Sequence, residues 1–179
     1  MLVFRRVLEF TSNIKSTFEP VIQTQLYPRS QIDIFIQVLQ QDGALLQAAI
    51  NAVTLALIDA GIALTDYVCA VTCALHDTVP LLDLTNIEET DLPNMTVAVL
   101  PRTNKFTLIT LETRIHIDRF EEMFQLVGSA GKVLHEQMLE SVGIRTARMI
   151  QAMGKGGPQD LIPLRTTGRQ RENEMDMDV

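Results

Sequence analysis

QIDIFIQVLQQDGALLQAAINAVTLALIDAGI, residues 31–62, carries two hydrophobic periods in one run. From Gln31 to Leu39, Ile32, Ile34, Ile36 and Val38 alternate with Gln31, Asp33, Phe35 and Gln37. A period of two sends neighbouring side chains to opposite faces, so this spacing predicts a half-buried strand. Asp42-Gly43 breaks the alternation. Residues 44–60 then read as a helix ending at Gly61, a residue suited to the left-handed position that closes helices. That helix is apolar nearly all round, which predicts cover on most sides. Its longest apolar stretch, Leu45–Ile58, is broken by Gln47, Asn51 and Thr54 and is too short and too polar to span a bilayer.

Working outward, residues 3–19 place Val3, Val7, Leu8, Ile14 and Phe18 at helical spacing, with Pro20 marking the helix end or a kink. Tyr27-Pro28-Arg29-Ser30 reads as a turn. Downstream, Tyr67–Leu75 is rich in β-branched and small residues and reads as a strand, and Val79–Leu84 as a second short run. Thr96–Leu100 and Phe106–Leu111 form a hairpin pattern around residues 102–105. Residues 117–152 are a long helical stretch, with Phe120, Met123, Phe124, Val127, Val133, Leu134 and Met138 as its apolar contacts. The order is helix, strand, helix, several strands, helix. That is an α+β chain with helices on a mainly antiparallel or mixed sheet. Residues 1–153 are assigned to one domain. After Gly154 the composition turns polar and charged, and residues 154–179 are expected to be a disordered tail.

Composition narrows the function classes. With 46% hydrophobic and 21% charged residues over 179 positions, the chain is an ordinary globular domain with room for a core. Aromatics are 5% and Trp is absent, so that core rests on Leu, Ile, Val and Ala. A formal charge of -7 argues against a broad basic nucleic-acid face, so any RNA contact is local or shared with a more basic partner. Cys69 and Cys73 give no disulfide framework, and a reducing compartment is the default. They read as buried free thiols. His76, His116 and His135 lack partners at metal-ligand spacing. No metal, no cofactor and no membrane partner are expected.

Three segments in series carry a family resemblance: Leu26–Ile34 followed by Val38–Gly43; Ala49–Ala52 followed by Leu55–Ile62; and Pro80–Leu84 followed by Glu88-Glu89. In this order and spacing they resemble the RNase PH family, closest to eukaryotic exosome ring subunits of the ribosomal RNA-processing protein forty-one type. The likeness runs from about residue 5 to about residue 150. It implies a partial RNase PH-type fold, ribosomal protein S5 domain 2-like, lacking the N-terminal strands. The chain is accordingly expected to be a truncated form that begins near the end of the family's first half.

The resemblance also assigns site residues. Active members split RNA with inorganic phosphate, held where the helix over 44–60 begins. Orphan N–H groups and the positive end of a helix dipole favour an anion there. The family pattern is Asp-Gly-Gly-Thr-Arg; here Asp42, Gly43, Ala44, Leu45 and Leu46 stand in its place. Leucine offers neither donor nor charge, so the phosphate site at Gly43, Ala44, Leu45 and Leu46 is degenerate. Leu45 and Leu46 are then expected to serve in packing. Asp83 matches the family's catalytic acid, and Glu89 the second acid six residues on. Such a pair binds Mg²⁺ or moves a proton where it is active. Without the cradle both are expected to be vestigial. Arg5 and Arg6 match an arginine-bearing stretch on the family's RNA path, with an Arg5–Glu9 pair on a solvated helix face as the bland alternative. Arg29 either reaches RNA or caps a turn.

The implied role is a non-catalytic subunit of a hexameric exosome ring. Its partners are other RNase PH-like subunits, S1/KH cap subunits, and RNA threading the pore. The implied locations are nucleus, nucleolus and cytoplasm. The competing readings are an active phosphate-dependent 3′→5′ exoribonuclease and a truncated product that does not assemble.

Overall fold

The computed structural model describes residues 2–76, 79–111 and 115–153. The tail assigned to 154–179 lies outside the described residues. The elements are α1 (Leu2–Phe18), a 3-10 turn (Thr24–Leu26), α2 (Leu45–Asp59), β1 (Cys69–His76), β2 (Val79–Leu82), α3 (Asn86–Asp91), β3 (Asn94–Leu100), β4 (Lys105–Leu111) and α4 (Ile117–Ala152). The chain divides into two compact units, 1–139 and 140–179. In the second, the described residues continue α4 as helix as far as Ala152.

The first unit is built on a four-stranded antiparallel sheet in the order β2-β1-β3-β4. Its central strands are covered on both faces. Every residue of β3 is buried, as are the first seven of β1. Alternation sorts them between two helical layers. Ala70, Ala98 and Leu100 meet Ile14 and Phe18 of α1 and Ile50, Val53 and Leu57 of α2. Val71, Cys73, Leu75, Met95 and Val97 meet Met123 and Val127 of α4. Gly131 lets α4 lie close on β3, because a Cβ there would fall 2.5 Å from Cγ1 of Val99.

The polar interruptions of α2 have a structural job. β2 pairs only with the Cys73–His76 half of β1. The preceding half would leave its outer backbone groups buried and unsatisfied, each at a cost of about 1–3 kcal/mol. Asn51 takes both groups of Ala70: its Nδ2 donates to the carbonyl at 3.0 Å and its Oδ1 accepts the N–H at 2.8 Å. Gln47 Oε1 accepts the N–H of Thr72 at 2.6 Å, and Thr54 Oγ1 donates to the Val68 carbonyl at 2.8 Å. Spaced along one face of a helix, these side chains act as a substitute strand edge.

The structure departs from the sequence expectations in three places. Gln31–Leu39 forms no strand. Its pattern is strand-like, but a strand exists only where a neighbour supplies ladder hydrogen bonds, and none of the described residues does so. Only Ile32 is drawn against the core. Helix α2 is covered on most sides, as its composition predicts, and Ala48, Ala52 and Ala56 form its one exposed small-residue line. Val133 of α4 is 61% exposed, because it sits about 100° around the helix from Leu134, which does pack. Helix α3 was not anticipated, although Thr85-x-x-Glu88 is a capping-box pattern.

Candidate functional site

Two segments far apart in sequence meet at the start of α2. Gly43 has φ +88°, and a Cβ on it would lie 2.6 Å from the Thr85 carbonyl carbon and 2.8 Å from the Asn86 nitrogen. Only glycine fits this contact, so the 42–44 turn is pressed onto the turn that follows β2. Asn86 N–H points at Asp42 Oδ1 at 3.5 Å. The next residue, Ala44, is the N-cap of α2 and is left-handed (φ +47°, ψ +34°), with no side-chain cap bond. That conformation costs a non-glycine residue about 1–2 kcal/mol. It is held by Glu89, whose Oε2 accepts the Ala44 N–H at 3.0 Å. A charge-assisted bond of this kind is among the stronger ones in a protein.

Asp83 lies just past β2, exposed and also left-handed at φ +60°, with its N–H 3.4 Å from the Thr72 carbonyl. Glu88 closes the capping box of α3: the N–H and the hydroxyl of Thr85 both donate to its Oε2 at 2.9 Å. The backbone bond, then the hydroxyl, hold its carboxyl below the usual range, with the charge of His76 adding a smaller pull. Asn94 Nδ2 donates to the Glu89 carbonyl at 2.8 Å and ties α3 to β3. Residues 42–46 and 83–89 together bring Asp42, Asp83, Glu88 and Glu89, and no Lys or Arg. The charges here repel phosphate rather than attract it. Leu46 packs against the core cluster under α2, and Leu45 is half-buried. Among the described residues there is no group of three or more His, Cys, Asp or Glu arranged to hold a metal ion.

The arginines singled out from the sequence lie elsewhere. Arg5 and Arg6 are exposed on the first turns of α1, and Arg5 Nε pairs with Glu9 Oε1 at 3.2 Å. Arg29 is exposed and left-handed (φ +61°) at the turn before residue 31. Among the described residues, no hydrogen bond or ion pair joins any of the three to the 42–46 and 83–89 segments. Cys69 and Cys73 are buried free thiols; burial pushes Cys69 up to about 12, with Asp66 adding to it, and Cys73 up to about 11. The Glu89–Ala44 link escaped sequence reading, because nothing local to Glu89 points across 45 residues.

Models of the 3′ exoribonuclease family match in tandem, domain 1 over residues 5–63 and domain 2 over residues 66–130. The chain belongs to the 3′ exoribonuclease, or RNase PH, family. Among its relatives, exosome complex component Ski6 of Schizosaccharomyces pombe is 43% identical over 129 residues, covering 72% of this chain and 53% of the relative. Exosome complex component RRP41 of Homo sapiens is 40% identical over 132 residues, covering 73% and 54%. The chain thus spans about half the length of these relatives. In fold it is similar to Rrp46 of rice, with a TM-score of 0.67 over 74% of this chain and 63% of that one at 24% identity. The α+β, RNase PH-type architecture read from the sequence is the one observed.

Proposed function

We propose that this chain serves as a non-catalytic ring subunit of an RNA exosome, supporting 3′→5′ RNA processing and degradation. The relatives carrying exosome component names support membership. One observation carries the non-catalytic half: the carboxylate of Glu89 occupies the N–H of Ala44 at the place where the family resemblance puts an anion. Leu45 and Leu46 add no donor, and the flanking residues are acidic. Losing a charged hydrogen bond costs about 1.5–3 kcal/mol, so a site without its two polar ligands binds phosphate poorly. Asp83 and Glu89 are then vestigial as catalysts, and Glu89 works as a structural tether. In the assembled ring, Arg5, Arg6 and Arg29 would meet RNA threading the pore. Neighbouring RNase PH-like subunits and S1/KH caps would complete the hexameric particle, working in nucleus, nucleolus and cytoplasm.

A labelled oligoribonucleotide assay with and without phosphate tests this. The expected result is no phosphate-dependent shortening by the chain, alone or in a reconstituted ring. Release of nucleoside diphosphates that disappears in Asp83→Ala would overturn it and favour the second reading, an active phosphorolytic exoribonuclease. The absence of any side-chain cap on α2 is the feature that favours that second reading.

A further inference from the structure

The α4 side of the sheet carries a cleft that neither the core nor the α2–α3 site uses. Val99 of β3, the β3–β4 turn and residues 125–132 of α4 enclose a half-open space of about 310 Å³. It lies within residues 1–139, on the face of the sheet opposite α1 and α2. Two glycines three residues apart shape it. Gly131 lets α4 down onto Val99, whereas a Cβ on Gly128 would meet nothing within 4 Å. Packing therefore does not require glycine at 128, and glycine in mid-helix is destabilising relative to alanine. What its missing side chain does is keep the cleft open. Val99, Pro101, Phe106 and the bare backbone of Gly128 give an apolar lining, to which Asn104, Gln125 and Lys132 add polar groups.

The charge around the cleft runs against that of the chain. Residues 92–111 and 123–135 contain Arg102, Lys105 and Lys132 and no Asp or Glu, in a chain of net charge -7. All three cations are exposed, and among the described residues none has a carboxylate partner. The nearest acids along α4 are Glu122, which pairs with Arg119, and Glu136, one turn beyond Lys132. We propose that this cleft binds a short segment of a partner protein in which a large aliphatic side chain is flanked by Asp or Glu. The apolar lining takes the aliphatic group; the volume is at the small end for binding pockets, enough for one anchoring side chain. Lys132 in the cleft, with Arg102 and Lys105 within two residues of Asn104, meets the acids. The amides of Asn104 and Gln125 are at hand for the segment's backbone. RNA fits less well. The cleft's aromatic ring, Phe106, is already packed on Phe124 at 4.4 Å between centroids, and the other lining groups give a base nothing to stack on. The proposal is independent of the ring-subunit reading.

Fluorescence anisotropy of a labelled Asp-Asp-Leu-Asp-Asp peptide, titrated with the full 179-residue chain, tests it. Saturable binding that weakens as salt is raised is expected. Replacing the peptide's leucine by alanine, or its aspartates by lysines, is expected to weaken binding at least about tenfold. Gly128→Leu fills the cleft from the helix side and is expected to weaken binding at least about tenfold. The same variant is expected to raise the urea midpoint, because leucine is the better helix former. Lys132→Glu is expected to weaken binding at least about fivefold and to favour the lysine-flanked peptide over the acidic one. Circular dichroism checks that both variants fold. No saturable binding by the wild type overturns the proposal, and so does binding that Gly128→Leu and Lys132→Glu leave unchanged. A labelled single-stranded oligoribonucleotide that binds in place of the peptide, and is lost in both variants, overturns it in favour of an RNA site.

Discussion

Gln31–Leu39 and Cys69–His76 both look like strands in one dimension, and only the second is one. The first has the cleaner alternation and the larger aliphatic residues. The second reads Cys-Ala-Val-Thr-Cys-Ala-Leu-His, with small and polar members. What separates them is company. Cys69–His76 has β3 along one edge, β2 along half of the other, and α2 side chains along the remainder. Gln31–Leu39 has none of these. Hydrophobic period selects which side chains share a face, whereas strand formation also needs hydrogen-bond partners for the backbone.

The sharpest way to break this contrast is to remove the substitute edge. Asn51→Leu keeps the volume close but strands the N–H and carbonyl of Ala70 in a buried setting. Two unsatisfied groups predict a loss of about 2–5 kcal/mol, read as a fall in the urea midpoint, with faster amide exchange through residues 69–72. A loss under about 0.5 kcal/mol would mean water or a shifted backbone serves that edge equally well.

A smaller effect comes from the thiols on the buried strand. Burial holds Cys69 near 12 and Cys73 near 11 against an ordinary 9.0. The folded chain therefore keeps protons that the unfolded chain releases. The stability tied to these neutral thiols is full below pH 9 and declines as pH rises from about 9 towards 11–12. Urea midpoints between pH 8 and 10.5 are expected to fall with pH, and the slope is expected to flatten in the Cys69→Ala, Cys73→Ala double variant. At neutral pH, alkylation of either cysteine is expected to be slow until the protein is unfolded.

The smallest effect belongs to the unpaired segment. Phe35→Ser removes a side chain that touches almost nothing, so the unfolding free energy is expected to change by no more than about 0.5 kcal/mol. Amide protons across residues 31–39 are expected to exchange orders of magnitude faster than those of β1. A large destabilisation by Phe35→Ser would show that this segment already has an intramolecular partner.

Much of the architecture was legible in one dimension. The bounds of α1, α2 and α4, the β1 strand and the β3–β4 hairpin follow from period, glycine and proline, because those signals are local. Gly61 at φ +71° closes α2 where a left-handed residue was expected. Leu45 and Leu46 were legible as offering neither donor nor charge at the start of α2, because side-chain chemistry needs no coordinates. Glu88 was legible too, through the Thr85-x-x-Glu88 spacing of a capping box. The function of Gln47, Asn51 and Thr54 was not. In sequence they are interruptions of an apolar helix; in space they complete a strand edge.

By itself, the sequence determined α1, α2, α4, β1 and the β3–β4 hairpin, the family, and the absence of threonine and arginine at the start of α2, since each depends on residue identity and short spacing. Tertiary structure alone decided that Glu89 reaches back to hold Ala44 and that α2 lends its amides to β1. It alone also decided that Gln31–Leu39 finds no strand partner among the described residues. Each of these depends on which backbone groups find partners far along the chain, and periodicity carries no information about where such a partner lies.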